Sequence, residues 1–183
     1  MIFFPFHLPI PTFLNSNFKC IKNVKWVVIM VIKVRIGGLE VARSPEVLET
    51  LLGSCVAIML YDTGKRIGGM AHSVLPETRE ENVRDPGKYV NTAIPALITK
   101  MTIAGARTNK LIAKLAGGAA MFKTNNSNMN IGAKNVEMAK KLLKKYGIPL
   151  KGEDTGGNRS RMVKFYLRDG KVEVRREGRI ITI

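Results

Sequence analysis

Glutamine is absent from this 183-residue chain, tryptophan occurs once, and cysteine and histidine occur twice each. The missing glutamine fits a heat-adapted composition, while Asn125, Asn126, Asn128 and Asn130 lean the other way, so growth temperature stays open. Two cysteines in unlike contexts, Cys20 and Cys55, exclude a disulfide scaffold, and no short-spaced pair offers a zinc ribbon. A reducing, cytoplasmic setting follows. A zinc site needs three or four protein ligands and the domain supplies one thiol and one imidazole, so no metal is expected. The pairs Gly37-Gly38, Gly68-Gly69, Gly117-Gly118 and Gly156-Gly157 match neither the Gly-x-Gly-x-x-Gly fingerprint nor a phosphate loop ending in Lys-Ser/Thr, and no cofactor is expected either. The apolar run from Trp26 to Ile32 falls far short of the about 20 residues that span a bilayer, so no membrane insertion is expected.

Acidic residues are also scarce. Thirty Lys and Arg stand against 14 Asp and Glu, a net charge of +16 that draws the protein toward something acidic. The basic residues are spread along the chain without the stacking aromatics of RNA-binding sheets, which leaves nucleic acid as an unfavoured partner.

Residues 1–30 look foreign to the rest of the chain. Pro5, Pro9 and Pro11 interrupt bulky apolar residues, no acidic residue precedes Glu40, and neither a helical nor a strand period holds. A signal peptide would need a basic n-region and a small-residue cleavage site. The expectation is an extension outside the fold. Either the translation start is assigned too early, with Met30 the true first residue, or an added arm docks on a partner; the first reading is preferred.

From Val31 the pattern is regular. Ile32–Ile36 alternates as a half-buried strand, and Gly37-Gly38 turns into a second strand over Leu39–Arg43. Ser44-Pro45-Glu46 resembles a helix start, which predicts a short helix over Glu46–Leu52 that stops at Gly53. Val56–Tyr61 and Arg66–His72 read as a hairpin, and Glu77–Lys88 as a polar surface loop. Tyr89–Met101 carries Val90, Ala93, Ile94, Leu97, Ile98 and Met101 at helical spacing, with Pro95 kinking the helix or marking its first turn. Lys110–Leu115 reads as a strand and Lys123–Asn130 as a loop. Gly132–Tyr146 reads as an amphipathic helix with Val136, Ala139, Leu142, Leu143 and Tyr146 inward. Met162–Arg168 and Lys171–Arg176 flank Asp169-Gly170, a hairpin signal. The order predicts one mixed α/β domain over residues 31–183, without repeats.

Cys55 and His72 are the only cysteine and histidine beyond residue 20. With a two- or four-residue loop, the hairpin register places them directly opposite, with Cβ atoms about 4.5–5.5 Å apart on one face. A three- or five-residue loop would send them to opposite faces. A thiol within reach of an imidazole is a nucleophile with its base. Gly53-Ser54 supplies a sharp turn just before the sulfur, where backbone N–H groups can hold an oxyanion. The competing reading of Cys55 is a small buried hydrophobe at the head of an apolar strand.

Thr50-Leu-Leu-Gly-Ser-Cys55-Val-Ala, Tyr61-Asp and Gly69-Met-Ala-His72-Ser-Val-Leu-Pro76 resemble the CheD family, chemoreceptor glutamine deamidases of bacterial and archaeal chemotaxis. The likeness continues through Lys88-Tyr89-Val-Asn-Thr-Ala-Ile94, Lys114-Leu-Ala-Gly117-Gly118-Ala, Ile131-Gly132-x-x-Asn135 and Gly156-Gly157-x-x-x-Arg161, and covers about residue 32 to the end. Asn91, Ala116 and Ser160 depart from the family's pattern, where an acidic residue, a larger apolar residue and a glycine are expected. The resemblance implies a Cys55, His72 and Thr50 catalytic set, with Thr50 as an orienting hydroxyl on the histidine. It also implies layered mixed β-sheets flanked by helices, similar to cytotoxic necrotizing factor-type cysteine hydrolases. The implied reaction is hydrolysis of receptor glutamine to glutamate through a cysteine thioester. The implied partners are the acidic cytoplasmic domains of chemoreceptors, which give the positive charge a purpose, and a CheC-like phosphatase. Two other readings compete: a regulatory module that binds CheC without using the thiol, and a basic nucleic-acid-binding domain with a structural cysteine.

Overall fold

Among the described residues of the computed structural model, 28–80, 82–121 and 130–183, the chain forms ten strands in two sheets and two α-helices. The first sheet runs in the order β1 (Val31–Lys33), β3 (Val47–Leu52), β8 (Arg161–Tyr166), β9 (Val172–Arg176) and β10 (Arg179–Thr182). The second runs β2 (Leu39–Arg43), β5 (Ile67–Ser73), β4 (Val56–Asp62), β6 (Leu111–Gly117) and β7 (Leu150–Thr155). Both are mixed: β1 lies parallel to β3 and β6 parallel to β7, and the other neighbours are antiparallel.

The second sheet is the middle of three layers. Every residue of β4 and β5 is buried, which is what an unbroken apolar run such as Val56–Leu60 means when both faces are covered. Alternation divides β4 between two cores. Val56, Ile58 and Leu60 pack toward the helices, while Ala57, Met59 and Tyr61 meet Leu48, Leu52, Val163 and Phe165 of the first sheet. Helix α1 (Val90–Ile103) buries Val90, Ala93, Ile94, Leu97 and Met101 in the outer core. Each fully buried aliphatic side chain contributes about 1.5–3 kcal/mol. Helix α2 (Ile131–Lys145) adds Ala139 and Leu143 and ends at Gly147, whose φ of 66° suits a residue without Cβ.

Several expectations change. Glu46–Leu52 is not a helix: Val47–Leu52 is the strand β3, flanked on both sides, with Leu48, Thr50 and Leu52 inward and Leu51 exposed. Ser44-Pro45 forms a turn instead of a cap, and the Glu46 amide donates to the Arg43 carbonyl. Period-two burial in a central strand overrides the local helix-start signal. Pro95 lies inside α1, past its first turn. Tyr146 caps the end of α2 and is exposed, not inward, whereas Gly132 and Asn135 are buried. β7 and β10 fall where no strand was expected. The Lys123–Asn130 loop and the 1–30 extension lie outside the described residues except for residues 28–30 and Asn130.

The hairpin register also differs. Ala57, not Cys55, faces His72, and Val56 faces Ser73. Asp62 stays in the ladder opposite Ile67 because its side chain organises the turn: Oδ1 accepts from the Gly64 and Lys65 amides at 2.9 and 3.1 Å. The loop is therefore Thr63–Arg66, one residue later than expected. That changes the pairing by two residues, which preserves the face. Cys55 lies in the bend just before β4, outside the ladder, and packs against the inter-sheet core toward which His72 also points; the expected direct pairing is absent, and His72 Nε2 makes no hydrogen bond to the Cys55 sulfur.

Candidate active site

The chain passes from the first sheet to the second through Gly53-Ser54-Cys55, between β3 and β4. Thr50 is on β3, three residues before the crossing, and His72 is near the end of β5; both are buried, and Cys55 is half-buried. In one row across the second sheet, Ala57 and Ala116 stand beside His72. Small side chains there leave the imidazole room to reach the opposite layer, where it meets Thr50.

Thr50 Oγ1 lies 2.7 Å from His72 Nδ1 and 2.9 Å from the carbonyl oxygen of Val34. A hydroxyl has one proton, and a carbonyl can only accept, so Oγ1 donates to Val34 and accepts from Nδ1–H. The neutral ring then carries its proton on Nδ1. Nε2 keeps a free lone pair, is buried, and has no hydrogen-bond partner among the described residues. Burial holds the His72 pKa below its ordinary value and pushes the Cys55 thiol up, against a smaller pull from its own backbone amide. Both directions favour the neutral pair at rest.

The Gly53–Cys55 loop is tethered from behind by the turn after β6. Gly118 donates to the Cys55 carbonyl at 2.8 Å, and Ala119 donates to that of Gly53 at 3.0 Å. Gly117, at φ 107°, approaches so closely that a Cβ on it would lie 2.2 Å from the Cys55 carbonyl oxygen. Behind that turn, Gly156 donates to the Gly117 carbonyl at 2.9 Å. Arg161, almost wholly buried, in turn holds the Asp154 carboxylate at 2.8 Å and the Gly156 carbonyl. Turns and tight strand packing are what these glycine pairs suggest in the sequence, and nothing there gives Arg161 or Asn135 a task. A polar residue on the inward face of α2 was the available signal for Asn135, since buried amides are there to be hydrogen-bonded.

His72 is held from both sides of its backbone. Its amide donates to the Gly38 carbonyl, and its carbonyl accepts from the Gly37 amide, both at 2.9 Å. Asn91 accepts from the Thr78 amide and donates to the Thr78 carbonyl, a pair of bonds that an ionised carboxylate could not make. Asn91 thus closes the loop that follows β5. Among the described residues, no three His, Cys, Asp or Glu side chains cluster as metal ligands, and no helix is long and apolar enough to cross a membrane.

Comparison with known proteins places this geometry in context. The family model described as CheD chemotactic sensory transduction matches residues 74–176, more than half of the chain. A probable chemoreceptor glutamine deamidase CheD of Methanococcus maripaludis strain C5 is 53% identical over 154 residues, 84% of this chain and 100% of that protein. A match of that length spans positions 50, 55 and 72, which lie ahead of the segment that the family model matches. The chemoreceptor glutamine deamidase CheD of Thermotoga maritima is 46% identical over 144 residues, 78% of this chain and 90% of that protein. Among solved structures, a Neisseria meningitidis protein of family DUF152 aligns with a TM-score of 0.43 at 10% identity, covering 70% of this chain and 64% of that one. Bacillus licheniformis YfiH aligns at 0.45 and 13% identity, over 70% and 60%.

Proposed function

The chain belongs to the CheD family, and from that premise we propose that it deamidates glutamine side chains of chemoreceptor cytoplasmic domains, with Cys55 as nucleophile. The observation that carries this reading is the Thr50–His72 contact, which leaves a buried, unpaired Nε2 on the side of the second sheet where Cys55 packs against the inter-sheet core. His72 is the general base and Thr50 orients it, as a carboxylate or amide does in other triads.

Nε2 takes the Cys55 proton as the sulfur attacks the substrate carboxamide carbon. The resulting oxyanion is held by the amides of Ser54 and Cys55, with Gly53 shaping the turn. Collapse of the intermediate breaks the C–N bond, and the imidazolium returns its proton to the departing ammonia. A glutamyl thioester on Cys55 remains. Water, deprotonated by the same Nε2, adds to the thioester, and release of the thiol yields glutamate.

The catalytic domain in this reading is residues 31–183, working in the cytoplasm without cofactor or metal. Its layering corresponds to that of cytotoxic necrotizing factor toxins, and superposition of strand order and direction on a toxin's catalytic domain checks that correspondence. Binding of a CheC-like phosphatase, the non-catalytic alternative, needs no thiol. The test is incubation with receptor cytoplasmic fragments, followed by mass spectrometry for glutamine-to-glutamate conversion and by ammonia release. Wild type converts individual glutamines; Cys55→Ala does not, yet it still binds CheC. Equal conversion by Cys55→Ala would remove Cys55 from the mechanism.

A further inference from the structure

Asn135 lies on the buried face of α2 and has no solvent exposure. Its Nδ2 group donates to two backbone carbonyls, Val74 at 2.9 Å and Ser54 at 3.3 Å. Two acceptors fix the amide's orientation, because the reverse would set Oδ1 against both carbonyl oxygens. Oδ1 is buried and unpartnered among the described residues. An amide that leaves one of its own atoms unsatisfied in order to hold two carbonyls is expensive as mere packing.

The carbonyls it holds are informative. Val74 is two residues beyond His72, and Ser54 supplies the carbonyl half of the peptide whose N–H belongs to Cys55. With the Gly118 and Ala119 amides on the carbonyls of Cys55 and Gly53, three consecutive carbonyls of the nucleophile loop are drawn toward one wall. In a trans peptide the N–H points opposite to its C=O. The amides of Ser54 and Cys55 are thereby turned away from that wall, and neither donates to a backbone carbonyl among the described residues.

We propose that Asn135 is a positioning residue of the deamidation reaction: by pinning the Ser54 carbonyl it aims the Cys55 amide at the developing oxyanion, and by pinning Val74 it fixes the nucleophile loop against the exit of the His72 strand. This rests on the proposed role of Cys55. Removing the tether lets the peptide plane rotate, and the oxyanion loses a fixed donor. Loss of one such donor costs about 10²-fold or more in kcat. Ground-state binding of the substrate does not use it.

Three proteins test this beside wild type: Asn135→Ala, Asn135→Asp and Cys55→Ala. Asn135→Ala is expected to lose about 10²-fold in kcat with KM unchanged, while iodoacetamide alkylates its Cys55 at the wild-type rate, since alkylation builds no oxyanion. Asn135→Asp is expected to add a limb to the pH profile that wild type lacks. Its protonated carboxyl can donate to a carbonyl and its anion cannot, so kcat falls as pH rises through the raised pKa of that buried acid. Wild-type kcat in Asn135→Ala, with Cys55→Ala inactive, overturns the positioning role and leaves the deamidase reading standing. Full activity of Cys55→Ala overturns both. Equal losses in alkylation and kcat, or failure of both Asn135 variants to fold, make Asn135 structural only and overturn the proposal.

Discussion

Thr50 and His72 belong to different sheets, and the 2.7 Å approach of Oγ1 to Nδ1 is a direct polar link across the layer between them. Because Oγ1 spends its proton on the Val34 carbonyl, the link has a direction, from imidazole to hydroxyl.

Thr50→Val keeps the side chain's shape but removes the acceptor for Nδ1–H. The ring can then turn or change tautomer, so kcat should fall by about 10- to 100-fold, a part of the about 10²–10⁴ that a positioned base supplies. Thr50→Ser retains the hydroxyl and should recover most of the rate. Steady-state kinetics on receptor fragments checks this pair, with the loss expected in kcat and not in KM.

The neutral resting pair gives the pH dependence its sign. The proposed mechanism uses unprotonated His72, whose pKa burial holds below the ordinary 6.5, so the acid limb of kcat/KM should lie below that value. Protonation favours the unfolded chain over the same range. Stability from this group is complete above pH 6.5 and declines as pH falls toward the folded value. Alkylation of Cys55 by iodoacetamide should keep rising with pH beyond the ordinary thiol range, since burial raises its pKa. A rate that stays high in acid would instead report a thiolate–imidazolium pair.

Much of this was legible in the residues. The apolar run of β4, the helical spacing of Val90 through Met101 and the turn at Asp169-Gly170 are local signals, and they lead to the observed elements. What misled was competition between local and long-range signals. Ser44-Pro45 reads as a helix start, yet Val47–Leu52 is held in the first sheet by a strand more than a hundred residues away. The hairpin loop came out one residue early because a charged Asp62 reads as turn, while its partners Gly64, Lys65 and Arg107 let it close the ladder while buried. Asn135 and Arg161 reach the candidate site through backbone carbonyls of other segments, and beyond the polarity of Asn135 on an inward helix face, composition and spacing carry no trace of those contacts.

Gly117→Ala should disturb Cys55 more than a comparable change elsewhere. At φ 107°, with a Cβ 2.2 Å from the Cys55 carbonyl oxygen, alanine must move the loop backbone as well as adopt a strained conformation costing about 1–3 kcal/mol. Gly147→Ala is the control: its φ is 66° and nothing lies within 4 Å of the added Cβ. Both variants should unfold at lower temperature, but only Gly117→Ala should also lose deamidation and slow the alkylation of Cys55.

Asp62 separates stability from chemistry, because it lies at the opposite end of β4 from Cys55. Burial alone pushes its carboxyl pKa up. The Arg107 guanidinium and the amides of Arg107, Lys65 and Gly64 more than offset this and hold it far below the usual carboxylate range. A folded pKa below the unfolded value means that the stabilisation is complete above about pH 4, the ordinary aspartate range, and is lost as pH falls toward the folded value. Asp62→Asn keeps the size of the side chain but loses the charge that five N–H donors converge on. It should cost about 2 kcal/mol near neutral pH, within the range for hydrogen bonds to a charged group, and less as the pH is lowered. Urea unfolding of both proteins between pH 3 and pH 7 measures the difference. Deamidation and the Cys55 alkylation rate should match wild type under conditions where Asp62→Asn is folded, because Asp62 closes the far end of β4 from Cys55.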